Sequence, residues 1–262
     1  MVEKLYVTYN DVSRPTNHQF PTLGRHGTDE PRAKQVHKLC QEAAPQILAD
    51  FKPQLMIAIG GGGYVPARIL RSFLKQPGSP NIPIQAIGLS LYEQLAGATD
   101  KEVEAAGTKV TRTQWLDLTA LGEMANLVGK RVLIVDEVDD TRTTLEYAVK
   151  ELQKDVEEAR EKIGSDLKTE FAIFVLHVRF SVSLSFLFFF LSQSALEPML
   201  TRDPIEQNKD KQKKGILPES IMNGRYLAAR TVGDEWICYP WEAMDIDEHD
   251  SNSAAAKAKN GL

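Results

Sequence analysis

An open, mostly parallel α/β sheet flanked by helices is the fold class that this 262-residue sequence predicts. Three features predict it: short unbroken apolar runs, helical patterns between them, and glycine-rich or acidic loops where a run gives way to a helix. A strand buried on both faces loses polar–apolar alternation and reads as a continuous apolar stretch. Leu55–Ile59 (LMIAI), Val132–Val135 (VLIV) and Phe171–Leu176 (FAIFVL) have that character, and Ile82–Leu91 (IPIQAIGLSL) predicts a further strand.

The order of elements follows βαβ logic. The first run leads through Gly60–Gly63 into the helical pattern Tyr64–Leu74, and the second leads through Asp136–Thr144 into Thr143–Glu158. Sheets of this kind take ligands beyond the carboxyl ends of their strands, so both unusual loops fall at the expected edge. Gly97–Thr113 is polar and reads as a solvated loop or a mobile lid. Asp245–Leu262, acidic and then rich in alanine and lysine, predicts a frayed tail on a single domain.

Composition narrows the function classes. Apolar residues make up 42% and charged residues 26%, the balance of a soluble globular protein. A net charge of −5 argues against a nucleic-acid surface built on bulk positive charge. A small anion remains admissible, because local backbone amides suffice to hold one. Cys40 and Cys238 stand far apart in no metal-ligand spacing, which fits a reducing compartment. The opening MVEKLYVTYND has no apolar core of a signal peptide, so a cytoplasmic location is expected.

Val132–Thr144 (VLIVDEVDDTRTT) carries the chemistry. Four apolar residues end in Asp136 and Glu137; Asp139 and Asp140 follow, and a run of hydroxyls opens a helix. Backbone N–H groups of Asp140–Thr144, with the positive end of a helix dipole, make a cradle for a terminal phosphate. Carboxylates beside a phosphate make electrostatic sense where they bind sugar hydroxyls or a divalent cation. A capped helix with acids complementing its dipole is the plainer alternative for DDTRTT alone.

The whole pattern resembles the phosphoribosyl pyrophosphate signature of type I phosphoribosyltransferases: apolar run, two acids, two residues, Asp-Thr-x-x-Thr. Arg142 departs from it, standing where most of that superfamily has glycine; the fungal hypoxanthine and xanthine(-guanine) enzymes, which the chain resembles, share the arginine. A side chain there needs a φ it can tolerate. AIGGGGYVPARIL (Ala58–Leu70) is similar to the family's first loop, whose glycines let amides approach a pyrophosphate, and Gly61-Gly62 matches the place of a cis peptide. TVGDEWICYPWEAMDI (Thr231–Ile246) resembles a purine-binding hood in which an aromatic at Trp236 stacks on the base and the backbone of Ile237 reads its edge. Trp241 reads as core.

The resemblance implies transfer of 5-phosphoribosyl to N9 of an oxopurine, with Mg²⁺ at Asp136 and Glu137 and a homodimeric assembly. It assigns acid–base work to Asp140, ribose contacts to Asp136 and Glu137, and the 5′-phosphate to Thr141, Arg142, Thr143 and Thr144. Pyrophosphate falls to Gly61, Gly62 and Arg112, and the purine to Lys209, Trp236 and Ile237. A non-catalytic regulator that binds phosphoribosyl pyrophosphate is the alternative, although no helix-turn-helix or basic domain is visible. A synthetase is the third reading, with no GxxxxGK[ST] in the chain.

Two stretches interrupt the resemblance. Relatives pass from a segment like Tyr6–Asp11 into Val36–Gln41, and from Phe174–His177 into Asn208–Lys211; here residues 12–35 and 178–207 intervene. Each begins with Val, encoded GTN, and ends with Gln, encoded by CAG among others, which are the boundary bases of a spliceosomal intron. Thr28-Asp29 and Leu200-Thr201 can encode branch sites, and Phe180–Leu191 is what pyrimidine-rich DNA gives on translation. Two retained introns are the expectation, and their removal leaves 208 of the 262 residues. As a membrane anchor the apolar tract is too short, since a spanning helix needs ~20 residues.

Overall fold

The computed structural model describes residues 4–7, 36–92, 106–116, 127–179, 214–233 and 236–259. In chain order these form β1 (Lys4–Tyr6), α1 (Val36–Asp50), β2 (Leu55–Gly60), α2 (Tyr64–Leu74), β3 (Ile84–Tyr92) and β4 (Ala106–Gln114). β5 (Arg131–Asp139), α3 (Thr143–Ile163), β6 (Glu170–Arg179), α4 (Glu219–Met222), β7 (Tyr226–Val232), β8 (Trp236–Cys238) and α5 (Ile246–Lys259) follow.

Six strands form one sheet in the order β4-β3-β2-β5-β6-β7, parallel throughout except for β4 on the β3 edge. The three apolar runs are the central strands β2, β5 and β6. Their period of two feeds two separate cores. Met56, Ala58, Leu133, Val135, Phe174 and Leu176 pack beneath α1 and α2 with Leu39, Ile47 and Leu70. Leu55, Ile57, Ile134, Ile173 and Val175 pack with Leu145, Leu152 and Val156 of α3 on the other face. Burial on both faces explains why these strands read as continuous apolar text.

α3 outlasts the expected Glu158 by a turn and stops at Gly164, whose φ of 62° suits glycine and whose N–H reaches the carbonyls of Arg160 and Glu161. β1 and β8 pair in parallel as a separate two-stranded sheet, with Lys4 opposite Trp236 and Tyr6 opposite Cys238. Ile237 and Tyr239 drop from this hood into the core under α1 and α2.

Two expectations are corrected. The second half of the stretch read as a loop or lid belongs to an edge strand, Ala106–Gln114, antiparallel to β3 with Arg112 opposite Leu89. Its threonines and Val110 are β-branched, while its charges suit an exposed edge. Residues 97–105 lie outside the described residues. The tail is also not frayed over 246–259. The carboxylate of Asp245 accepts the N–H groups of Asp247 and Glu248, an N-cap, and α5 then buries His249 and Ser253. The ring of His249 meets Tyr6 edge-on at 5.4 Å. Of the suspected inserts, Val178 and Arg179 continue β6, paired to Thr231 and Val232 of β7; residues 12–35 and 180–207 lie outside the described residues.

Candidate active site

β5 carries its apolar residues into the sheet and delivers its acids at the carboxyl edge. Asp136 is buried there, and its Oδ1 accepts the N–H of Glu137 at 2.9 Å. Burial pushes its carboxyl well above the usual range; the nearby charges of Glu137 and Asp139 add to that, and the Glu137 N–H opposes it. Glu137 is raised to about 7, chiefly by burial, against the hydrogen bond from Trp241. That bond runs from the indole Nε1 to Oε2 at 2.9 Å, and the Tyr239 hydroxyl donates to the Glu137 carbonyl at 3.1 Å. Trp241 stacks on Tyr239 with centroids 4.7 Å apart, and His177 Nδ1 lies 2.8 Å from the Tyr239 hydroxyl. Trp241 packs against the core under α1 and α2, as expected, and has a polar role as well. It fixes a carboxylate that the sequence lets one place only by its position in a motif.

The first loop meets this acid directly. A Cβ on Gly62 would fall 1.3 Å from Glu137 Oε2, so the carboxylate fills the space that glycine leaves open. At Gly61 nothing lies within 4 Å of a Cβ position, which leaves that face of the loop open. The cis peptide is Gly60–Gly61, one bond earlier than expected.

Beyond β5 the chain turns through Asp140–Arg142 into α3. Asp140 is exposed, and its Oδ2 pairs with Arg179 Nη1 at 3.0 Å. Thr141 and Thr143 join their hydroxyls at 3.1 Å, and Thr144 follows in the first turn of α3. The Thr141 carbonyl accepts the N–H groups of Lys214 and Gly215 at 3.0 and 3.1 Å, which ties a later segment over the loop. Arg142 has a φ of 67°. Its guanidinium does not face the loop opening: Nε donates to Asp139 Oδ2 at 2.9 Å, and the group lies 5.2 Å over the Tyr226 ring. The Tyr226 hydroxyl donates to the same Oδ2 at 2.6 Å.

Trp236 stands 54% exposed on the hood, beside buried Ile237. Arg112 departs from the expectation: it pairs with Glu151 and Asp155 on the body of α3 and lies 4.1 Å over the Trp115 ring. Those partners engage its charge in packing β4 on α3. Lys209 lies outside the described residues. Asp139, Tyr226, Tyr239 and His177 were not singled out from sequence. Tyr239 and Trp241 do share the hood segment with Trp236, the one signal that could have marked them.

The site thus combines acids at a strand end, a glycine loop pressed against one of them, and a tight turn at a helix start. No family model matches this chain. It is 51% identical over 218 residues to xanthine phosphoribosyltransferase 1 of Saccharomyces cerevisiae, covering 82% of this chain and 89% of that protein. It is 49% identical over 220 residues to the hypoxanthine-guanine phosphoribosyltransferase of Schizosaccharomyces pombe, covering 84% and 91%. The chain belongs to the purine phosphoribosyltransferases. As a member of that family it is a glycosyltransferase of the hypoxanthine/xanthine-guanine type. Among solved structures, a hypothetical protein from Neisseria gonorrhoeae with bound ppGpp superposes with a TM-score of 0.58 at 32% identity, covering 98% of each chain. Among the described residues, no helix of this phosphoribosyltransferase is long and apolar enough to cross a membrane.

Proposed function

We propose that the protein transfers the 5-phosphoribosyl group of phosphoribosyl pyrophosphate to N9 of hypoxanthine, guanine or xanthine, releasing pyrophosphate and a nucleoside 5′-monophosphate for purine salvage. The observation that carries the reading is the Glu137 carboxylate lodged against Gly62, beside the Asp140–Thr144 turn. It sets a carboxylate, a glycine loop and a helix start at one edge of the sheet, which supports the reading. The relatives' names supply the substrate class, and each is named a phosphoribosyltransferase.

In this reading the amides of Thr141–Thr144 hold the 5′-phosphate, with the hydroxyls of Thr141, Thr143 and Thr144 as further donors. Asp136 and Glu137 take ribose hydroxyls, Gly61 and Gly62 approach the pyrophosphate, and Trp236 stacks on the purine while the backbone of Ile237 reads its edge. Lys209 reaches the purine 6-oxo group. Asp140 accepts the proton of the base nitrogen as the glycosidic bond forms, for which its pairing with Arg179 must open.

Mg²⁺ fits the donor set. Asp136 and Glu137 are adjacent hard oxygen donors whose charged forms are disfavoured by burial, a balance that a cation reverses. Among the described residues no group of three or more His, Cys, Asp or Glu could hold an ion. Mg²⁺ commonly keeps several waters and leans on substrate phosphates. When bound, it would neutralise charge on the departing pyrophosphate. Assembly as a homodimer and a cytoplasmic location complete the proposal; the free Cys40 and Cys238 fit a reducing compartment.

The test is purine-dependent release of pyrophosphate. Asp140→Asn should still bind phosphoribosyl pyrophosphate and lose ~10²–10⁴-fold in kcat. Ligand binding by the wild type with no pyrophosphate released on addition of any oxopurine would instead favour the non-catalytic regulator.

A further inference from the structure

Arg142 occupies left-handed backbone space, where a Cβ is disfavoured, at the centre of the turn between β5 and α3. Something must hold it there. The guanidinium is anchored through Nε to Asp139, whose side chain is fully buried. Asp139 also receives the Tyr226 hydroxyl from β7, and the guanidinium lies over that same ring. Nη1 approaches Met222 Sδ of α4 at 3.9 Å. On its other side, the Arg142 backbone is closed in by Gly215, where a Cβ would fall 2.5 Å from the Arg142 carbonyl oxygen. The side chain is thus spent on β5, β7 and α4, and only its backbone faces the loop.

The geometry points to Arg142 as a positioning residue: its guanidinium, through Asp139 and Tyr226, locks the left-handed turn that aims the loop amides, and it is not itself a phosphate ligand. Glycine would reach the same φ by having no side chain; here a buried anchor holds a residue that would otherwise leave it. Loop conformation therefore depends on β7 through Tyr226. This inference rests on reading Asp140–Thr144 as the 5′-phosphate loop.

Two substitutions separate backbone from side chain. Arg142→Gly and Arg142→Ala both remove the Arg142 guanidinium from Asp139, so the difference between them isolates the cost of a Cβ at φ 67°. The KM for phosphoribosyl pyrophosphate should rise in the order wild type, Gly, Ala, with the Ala variant several-fold above the Gly variant. The KM for the purine should move by less than about threefold in both. Tyr226→Phe, which keeps the ring and removes one hydrogen bond to Asp139, guards against misfolding of the Arg142 variants. It should raise the phosphoribosyl pyrophosphate KM about 3- to 10-fold, the range of a single hydrogen bond, with the purine KM unchanged. Equal KM values for Gly and Ala, or a Tyr226→Phe variant that loses thermal stability with both KM values intact, would overturn the inference. A wild-type protein that neither binds nor uses phosphoribosyl pyrophosphate would sink the loop reading as well; a wild type that does so with the wrong variant order sinks only the inference.

Discussion

Replacing His177 with asparagine should flatten the acid side of the stability profile. His177 sits on β6 with 2% of its surface exposed, its Nδ1 2.8 Å from the Tyr239 hydroxyl. The Tyr239 hydroxyl donates to the Glu137 carbonyl and can accept from Nδ1, and burial favours the neutral ring. Burial first, and then the charge of Arg230, hold its pKa down from 6.5 to about 4. In the unfolded chain the imidazole titrates near 6.5. Between pH 6.5 and 4 the unfolded state takes up a proton that the folded state refuses, so stability falls as pH drops through this window and levels off below it. The size of the effect is the pKa difference at 1.36 kcal/mol per unit, about 3 kcal/mol. Asparagine keeps an N–H donor near the Nδ1 position and does not titrate. Urea unfolding at pH 7, 6, 5 and 4 should show the variant gaining about 3 kcal/mol on the wild type across the series. A wild-type-minus-variant difference that stays constant with pH would refute a neutral, buried His177.

Other substitutions probe the ligand side. Trp236→Ala should weaken purine binding by ~1–3 kcal/mol while leaving phosphoribosyl pyrophosphate binding near wild type; equal losses measured by calorimetry would mean a packing role. Gly62→Ala should drive Glu137 off its Trp241 bond and raise the KM for phosphoribosyl pyrophosphate about 10- to 100-fold, since bonds to charged groups contribute ~1.5–3 kcal/mol; an unchanged KM would show that Glu137 does not serve the sugar. The 208-residue version lacking 12–35 and 178–207 should be soluble and active, whereas the 262-residue chain, with its Phe180–Leu191 tract, should aggregate on expression. Equal solubility and activity of the two would make the segments tolerated loops.

The sheet was readable because β2, β5 and β6 are buried on both faces, and that leaves an unmistakable apolar text. Glycine and acid at the strand ends then pointed to the candidate site. Less visible was β4, because an edge strand with charges and one buried valine looks like a loop until a neighbour pairs with it. The helix Ile246–Lys259 was missed for a similar reason: its signal was a single capping aspartate, and its buried His249 needs Tyr6 from the other end of the chain. Side-chain direction was the least legible property. Arg142 could be named as the odd residue of its motif, yet only the fold shows its guanidinium turned back to Asp139 and Tyr226. Trp241 finds its partner 104 residues away, and Arg112 finds Glu151 on a helix 39 residues on. No local pattern encodes such meetings.

The pairing of Arg179 with Asp140 has a further meaning. His177 is followed on β6 by Val178 and Arg179, held in register by Thr231 and Val232. In the shortened chain Asn208 and Lys209 would follow His177, and the same register would seat Lys209 where Arg179 now stands. The two versions would thus differ, two residues after His177, in the cation they carry: an arginine that pairs with Asp140, or a lysine proposed for the purine 6-oxo group. A guanidinium is permanently charged and grips a carboxylate with a planar fork; an ammonium is a compact point charge on a pliant stem. One suits a latch, the other a hand that can let go.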